Sequence, residues 1–234
     1  MSLYDDEARY YDALYYWKDY EGEVARIIEI VDRRAPQAKS LLDVACGTGT
    51  HLVLLRDRFD VAGVDLHESM LRFAREKLPG VTLEVGDMTG FDLGRRFDVI
   101  TNLFSAIGHL PDVGALEAAI GRMAAHLAPG GVLLVEPWLE PDAFTEGHIG
   151  GLLGDRPDFK IARLNKTRRE GRKSYLDFLY AVVTPDGLQC WEATEELTLF
   201  TRAEMLGAFE KAGLDVEHDP KGLMDRGLYI ASHA

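Results

Sequence analysis

The sequence predicts an α/β fold: a parallel sheet with helices on both faces, carrying an inserted layer of antiparallel strands. Three observations predict it. Between residues 40 and 137, short apolar runs alternate with stretches of helical spacing. A glycine-rich turn, LLDVACGTGTH at 41–51, joins the first of those runs directly to a helix. From 159 to 200 the pattern changes to three longer runs separated by turns.

Each element has its own signal. Residues 8–34 read as helix, with apolar positions at Tyr11, Leu14, Tyr15, Val24, Ile27, Ile28 and Val31. Gly22 is where it can break in two, and Pro36 ends it. SLLDVA (40–45) suits a strand buried on both faces. Helical spacing follows at 50–59, a second strand at 61–65 and a second helix at 68–78, stopped by Pro79-Gly80. Residues 81–88 and 96–104 read as strands three and four. Residues 113–131 read as a helix closed by Pro-Gly-Gly, and 132–137 as strand five. The inserted strands are 159–168, 173–183 and 188–200, with turns REGR and TPDG. A helix at 202–213 and two strands, 214–218 and 227–232, complete the chain. The reading is one domain, 1–234, with an N-terminal helical segment at 1–36 and an insertion at 138–200.

Composition narrows the function. Apolar residues make up 47 % and charged residues 28 %, with a formal net charge of −13. An acidic chain is repelled by nucleic acid and by anionic membranes. A small-molecule partner and a cytoplasmic location are therefore expected. No apolar run reaches the ~18–20 residues needed to span a bilayer, and no secretory signal is seen. The two cysteines, Cys46 and Cys190, have neither disulfide-framework nor zinc-ligand spacing.

The glycine turn carries the chemistry. It reads Asp43-x-Ala45-x-Gly47-x-Gly49, between a strand and a helix. Small residues let the backbone approach a ligand. The next strand ends at Asp65, where an acid can accept both hydroxyls of a ribose. A dinucleotide fingerprint needs a third glycine, and Leu52 stands there instead. Asp43 suits a ligand with an ammonium group better than a pyrophosphate. S-adenosylmethionine (SAM) has an amine, a carboxylate, a ribose and a sulfonium.

LLDVACGTGTH, GVDLHESML, GDM (86–88), FDVITNLFS (97–105) and LAPGGVLLVEP (128–137) together resemble the ordered motifs of class I SAM-dependent methyltransferases. The resemblance implies a Rossmann-like seven-stranded sheet with a reversed last strand. It implies that Asp43, Ala45, Gly47 and Gly49 line the methionine end and that Asp65 holds the ribose. It puts Leu66 and Met70 beside the adenine, Asp87 and Met88 at its amino edge, and Asn102 or Leu103 against the methionine moiety.

The whole chain is similar to the N,N-dimethyltransferases of nucleotide-linked amino sugars. The tyrosine-rich start with KDY (18–20), DVACGTGTHL, FSAIGHL, EPW, LTLF and RGLY carry this. The implied acceptor is the amino group of a thymidine diphosphate (dTDP) sugar. His109, after the fourth strand, is a candidate to take a proton or hold the acceptor. Tyr15 is placed on the acceptor side, and Tyr11 or Tyr20 toward SAM. Trp138 (of EPW), Arg226 and, from the basic cluster NKTRREGRK, Arg168 are candidates to bind the acceptor and its pyrophosphate.

Other readings stay open: a small-molecule N- or O-methyltransferase with a non-sugar acceptor, or a SAM-binding homologue without activity. A nucleic-acid methylase is disfavoured by TNLF after strand four and by the acidic charge. No metal is expected, and pairing of two copies is left open. Six of the nine tyrosines lie within YDDEARYYDALYYWKDY, 4–20. They read as a lid: burial for Tyr4, Tyr10 and Tyr16, ligand contact for the others, with Tyr11/Tyr15 and Tyr16/Tyr20 each sharing a helical face.

Overall fold

The computed structural model describes residues 8–233. In chain order the strands are β1 (Ser40–Val44), β2 (Asp60–Asp65), β3 (Thr82–Val85), β4 (Phe97–Asn102), β5 (Leu127–Val135), β6 (Ile149–Asp155), β7 (Lys160–Glu170), β8 (Lys173–Thr184), β9 (Gly187–Thr198), β10 (Leu214–Asp219) and β11 (Leu228–His233). The helices are α1 (Tyr11–Leu14), α2 (Tyr20–Arg34), α3 (Thr50–Leu55), α4 (Glu68–Lys77), α5 (Val113–His126) and α6 (Arg202–Lys211).

Seven strands form the main sheet in the order β10-β11-β5-β4-β1-β2-β3. The β1–β5 pairings are parallel, and β11 runs antiparallel to both β5 and β10. This is the expected sheet with its reversed last strand. Leu42 and Val44 of β1 face one core with α5 and α6, and Leu41 faces a second core with α2, α3 and α4. Burial on both faces is why β1 reads as an unbroken apolar run. The C-terminal ends of β1, β2 and β4 share one edge, where ligands bind in such sheets.

The insertion is a separate four-stranded antiparallel sheet, β6-β7-β8-β9. Sequence reading missed β6, because IGGLLGD has three glycines and weak strand propensity. Gly154 has a packing reason: a Cβ there would sit 2.8 Å from the Ala13 carbonyl oxygen. The inner face of this sheet and the N-terminal aromatics build a third core of Tyr10, Ala13, Leu14, Tyr15, Ile161, Phe178, Tyr180 and Val182.

Two further boundaries differ from the sequence reading. The N-terminal helix breaks at 15–19 and not at Gly22. Asp19 caps α2 by accepting from the Gly22 amide at 2.9 Å, so Gly22 lies inside the first turn. The segment Ala128–Gly131 is not the tail of α5. Leu127 already pairs with Phe97, the chain bulges, and pairing resumes at Val132 with Val99.

Candidate active site

The C-terminal edge of the main sheet and the inner face of the insertion enclose a cleft of about 480 Å³. Its floor comes from the glycine turn and the ends of β2 and β4: Ala45, Gly47, Asp65, Leu66, Met70, Met88 and Leu103. Gly47 holds φ +56° and Ala45 φ +63°. The turn curls back so that the Gly47 amide donates to Asp65 Oδ2 at 2.8 Å, while the His67 amide donates to Oδ1 at 2.9 Å. Each oxygen of Asp65 keeps a further lone pair, which suits a vicinal diol. Leu66, 58 % exposed, presents apolar surface to the cleft.

Asp43 sits beneath this turn. Its Oδ1 accepts from Thr101 Oγ1 at 2.7 Å. Burial raises its pKa to about 6, opposed by His51, Thr101 and Lys18 and assisted by Asp65. Asp43 is buried and stands behind the cleft lining. Asn102 does not face the cleft: it is fully buried and its Nδ2 donates to the Val44 carbonyl at 2.9 Å, tying β4 to β1. Gly49, at φ +75°, caps α3 behind the floor. Asp87 lies outside the cleft lining, with Oδ1 held by the Thr89 amide and hydroxyl at 2.8 and 2.7 Å.

The roof is aromatic. Tyr11 and Tyr15 line the cleft with ring centroids 4.6 Å apart. Tyr15 stands edge-on to Phe104 at 5.0 Å, and its hydroxyl accepts from Arg163 Nη1 at 2.7 Å. Burial raises the Tyr15 pKa, partly offset by Arg163, so the phenol stays protonated at neutral pH. Phe104 and Ser105 both take left-handed φ, 54° and 63°. The buried Glu136 carboxylate holds this turn by accepting the Phe104 amide at 2.6 Å, and burial raises its pKa. Arg226 Nη1 donates to Ser105 Oγ at 3.0 Å, and its guanidinium lies 5.0 Å from the Trp138 ring. His109 and Trp138 line the same side, and Trp138 Nε1 donates to Ser174 Oγ at 2.9 Å. His109 lines the cleft and is exposed to it. Burial lowers its pKa, with His67 adding to the effect, so it is neutral at pH 7.

Besides Asn102 and Asp87, three placements depart from the sequence reading. Tyr20 lines a side groove, not the cleft: its ring lies against His51 at 4.9 Å and beneath Lys18 Nζ at 4.7 Å. Its place is set by a buried ion pair of Lys18 with Glu23, which also bonds His51 at 2.8 Å. Arg168 points to the outer face of the insertion, where it pairs with Asp177 at 2.9 Å and Glu170 at 2.7 Å. Strand alternation is the reason: odd positions of β7 face the inner side of the insertion sheet, where Arg163 reaches the cleft, and even ones face away. The arginine that enters is Arg163, five residues earlier, which sequence reading missed. Tyr16 is 62 % exposed, so it neither anchors by burial nor shares a helical face with Tyr20. Tyr4 lies outside the described residues.

One further contact ties roof to floor. Asp12 Oδ1 accepts from Thr48 Oγ1 at 2.6 Å, its Oδ2 pairs with Lys77 Nζ at 2.5 Å, and its carbonyl accepts from Arg156 at 3.1 Å. Among the described residues no cluster of His, Cys, Asp or Glu could hold a metal. No helix among the described residues is long and apolar enough to cross a membrane.

A reversed seventh strand, a glycine turn under an apolar floor and an acid at the end of β2 define a class I SAM-dependent methyltransferase. The comparisons agree. A family model described as a methyltransferase domain matches residues 41–131. The chain is 42 % identical to dTDP-3-amino-3,4,6-trideoxy-alpha-D-glucopyranose N,N-dimethyltransferase of Streptomyces venezuelae, over 96 % of this chain and 97 % of that protein. It is 44 % identical to the dTDP-3-amino-3,6-dideoxy-alpha-D-glucopyranose enzyme of Streptomyces fradiae, over 91 % and 84 %. The SAM-bound structure of CalS10, an amino pentose methyltransferase from Micromonospora echinaspora, superposes with a TM-score of 0.87 at 39 % identity, covering 100 % of this chain and 98 % of that one. The chain belongs to the family of sugar N,N-dimethyltransferases that use SAM.

Proposed function

We propose that this enzyme N-methylates, twice, the amino group of a hexose carried on dTDP. The observation that supports it most is similarity along nearly the whole chain, roof and insertion included, to enzymes whose names specify that acceptor. The cleft agrees in chemistry. It offers a floor for SAM and, above it, an aromatic wall with two arginines, Arg163 and Arg226. A sugar diphosphate has an apolar ring face and two negative charges, which such a wall accommodates.

Bound SAM supplies a methyl carbon on positive sulfur, so the N–C bond forms as the C–S pair returns to sulfur. The chain's own residues do the rest. Asp65 would hold the ribose, Asp43 the ammonium of the methionine end, and Leu66, Met70 and Met88 the adenine. The buried Tyr15 phenol, fixed by Arg163, holds the acceptor nitrogen by hydrogen bonding and cannot act as a base. Neutral His109 is able to receive a proton from the incoming ammonium, but a free amine attacks unaided. Catalysis is therefore mainly orientation and exclusion of water. Segment 8–19 acts as the lid, and β6–β9 as the acceptor wall.

Incubation with SAM and a panel of dTDP-3-amino and dTDP-4-amino deoxysugars tests this. Mass spectrometry should show one and then two added methyl groups on at least one of them. Methylation of free amines or phenols but of no nucleotide sugar would sink it.

Two copies pair, on this reading, through the outer face of the insertion. That face exposes Ile149, Leu153, Leu164, Leu179, Val183 and Leu188. So large an apolar patch on a sheet calls for a partner, and Lys166 and Asp177, adjacent in register, supply complementary charges about a two-fold axis. Sedimentation should show a dimer that Leu179→Lys converts to monomer. The cytoplasm, where SAM and nucleotide sugars are made, is the fitting location.

A further inference from the structure

Trp17 stands in the break between α1 and α2 and is 48 % exposed. A single exposed apolar side chain is ordinary; the way this one is held is not. On one side of it Tyr15 is buried and bonded to Arg163. On the other, Lys18 is buried and paired with Glu23. The Lys18 amide also donates to the Tyr15 carbonyl at 3.1 Å, closing the turn that carries Trp17. The indole is thus presented by a backbone anchored at both ends. Among the described residues no other ring and no cation stacks on it.

Trp17 also borders two spaces at once. It lines the cleft, and it lines a groove of about 740 Å³ shared with Lys221, Leu223, Met224 and Asp225. The next residue, Arg226, enters the cleft, so the loop before β11 serves both spaces. A bridge between Gly222 and Gly227 closes that loop at its base. Volume is what makes the groove matter. The cleft, about 480 Å³, is modest even for one ligand of ordinary size, and it has to seat both SAM and a sugar nucleotide. Part of the acceptor therefore lies beyond it. Past Trp138 and Arg226 the adjoining space is about 10 Å³, room for no more than a water molecule. Past Trp17 lies the open groove.

We propose that the acceptor's nucleotide leaves the cleft at Arg226 and that its base stacks on the Trp17 indole. The proposal rests on the amino-sugar reading above. It orders the acceptor along the site: amino sugar over the floor, diphosphate beside Arg226, base on Trp17. A nucleobase is flat, neutral and apolar on its faces, and a fixed indole meets it without ordering a mobile side chain. The groove's lining has four carboxylates against three cations, so it does not draw the diphosphate away from Arg226, while a neutral base is indifferent to it. Segment 8–19 then touches both substrates, with Tyr11 and Tyr15 inside the cleft and Trp17 at its mouth.

Calorimetry on the S-adenosylhomocysteine complex tests this with two ligands: a dTDP-amino sugar that the enzyme methylates, and the same amino sugar as its 1-phosphate, which lacks the nucleoside. W17A should bind the dTDP-amino sugar about tenfold more weakly, the loss of one base–aromatic stack. It should bind the sugar 1-phosphate as wild type does. W17F keeps a smaller ring and should recover most of the loss. Unchanged S-adenosylhomocysteine affinity reports a folded site in both variants. A W17A protein that holds the dTDP-amino sugar as tightly as an active wild type overturns this proposal alone. So does a W17A protein that loses S-adenosylhomocysteine binding, or loses both sugar ligands equally, since either result makes Trp17 a prop of the lid. Wild-type protein that neither binds nor methylates any nucleotide sugar overturns the amino-sugar reading and this proposal with it.

Discussion

Replacing Asp43 by Asn should stabilise the ligand-free enzyme while weakening its hold on SAM. Burial raises the Asp43 pKa from 3.8 to about 6. The folded state therefore binds more protons than the unfolded chain between those values, and stability falls as pH rises through that window. The shift is about two units, so above pH 7 the ionised side chain costs the fold about 3 kcal/mol at about 1.4 kcal/mol per unit. Asn keeps an oxygen for Thr101 and removes the charge. For a chain this long the gain corresponds to a Tm rise of roughly 6–12 °C near neutral pH. About half of it should remain at pH 5, and little below pH 4. On the proposed placement of SAM, the same change removes the charged partner of the ligand's ammonium, worth about 1.5–3 kcal/mol, or roughly ten- to a hundredfold in affinity. Thermal unfolding at pH 7.5 and pH 5, with and without S-adenosylhomocysteine, reads both effects. An Asn variant that is less stable than wild type when empty and still gains a full ligand-induced shift would refute the reasoning.

Four other substitutions probe the rest of the site. His109→Ala should retain detectable turnover, lowered about tenfold, because a free amine needs no base; total loss with intact S-adenosylhomocysteine binding would show that His109 is the base. Tyr15→Phe strands Arg163 Nη1 in a buried site, at a cost of about 1–3 kcal/mol in unfolding free energy, and should raise KM for the acceptor more than it lowers kcat. Asp12→Ala cuts the link from the lid to Thr48 and Lys77, and should weaken SAM binding while the far-ultraviolet circular dichroism stays that of wild type. Arg168→Ala, on the outer face, should leave steady-state kinetics unchanged; a rise in acceptor KM would put the basic hairpin in the site after all.

The tyrosine-rich segment shows where local reasoning reached its limit. A simple lid could be deleted at little cost to the fold. Here Tyr10 and Leu14 are fully buried in the core of the insertion, so removing the first twenty residues would expose the sheet's inner face as well as the ligand. Of its five described tyrosines, Tyr11 and Tyr15 line the cleft, Tyr10 is core, and Tyr16 and Tyr20 face elsewhere. Helical spacing had paired Tyr16 with Tyr20, but α1 stops at Leu14. Asp19 was the signal for the restart, as a cap three residues before the amide that it binds.

What the sequence by itself determined was the α/β sheet, the glycine turn and Asp65. Those depend on short-range periodicity and on backbone that only small residues permit, so they survive without knowledge of distant partners. What only the tertiary structure decided was which charges enter the cleft. Arg163 and not Arg168 points inward, because a strand's register against its neighbours assigns each side chain to one face or the other. Asp43 became a poised acid, and Tyr15 a fixed phenol, only when other elements closed over them and removed water, since desolvation belongs to the packed whole and not to any stretch of chain.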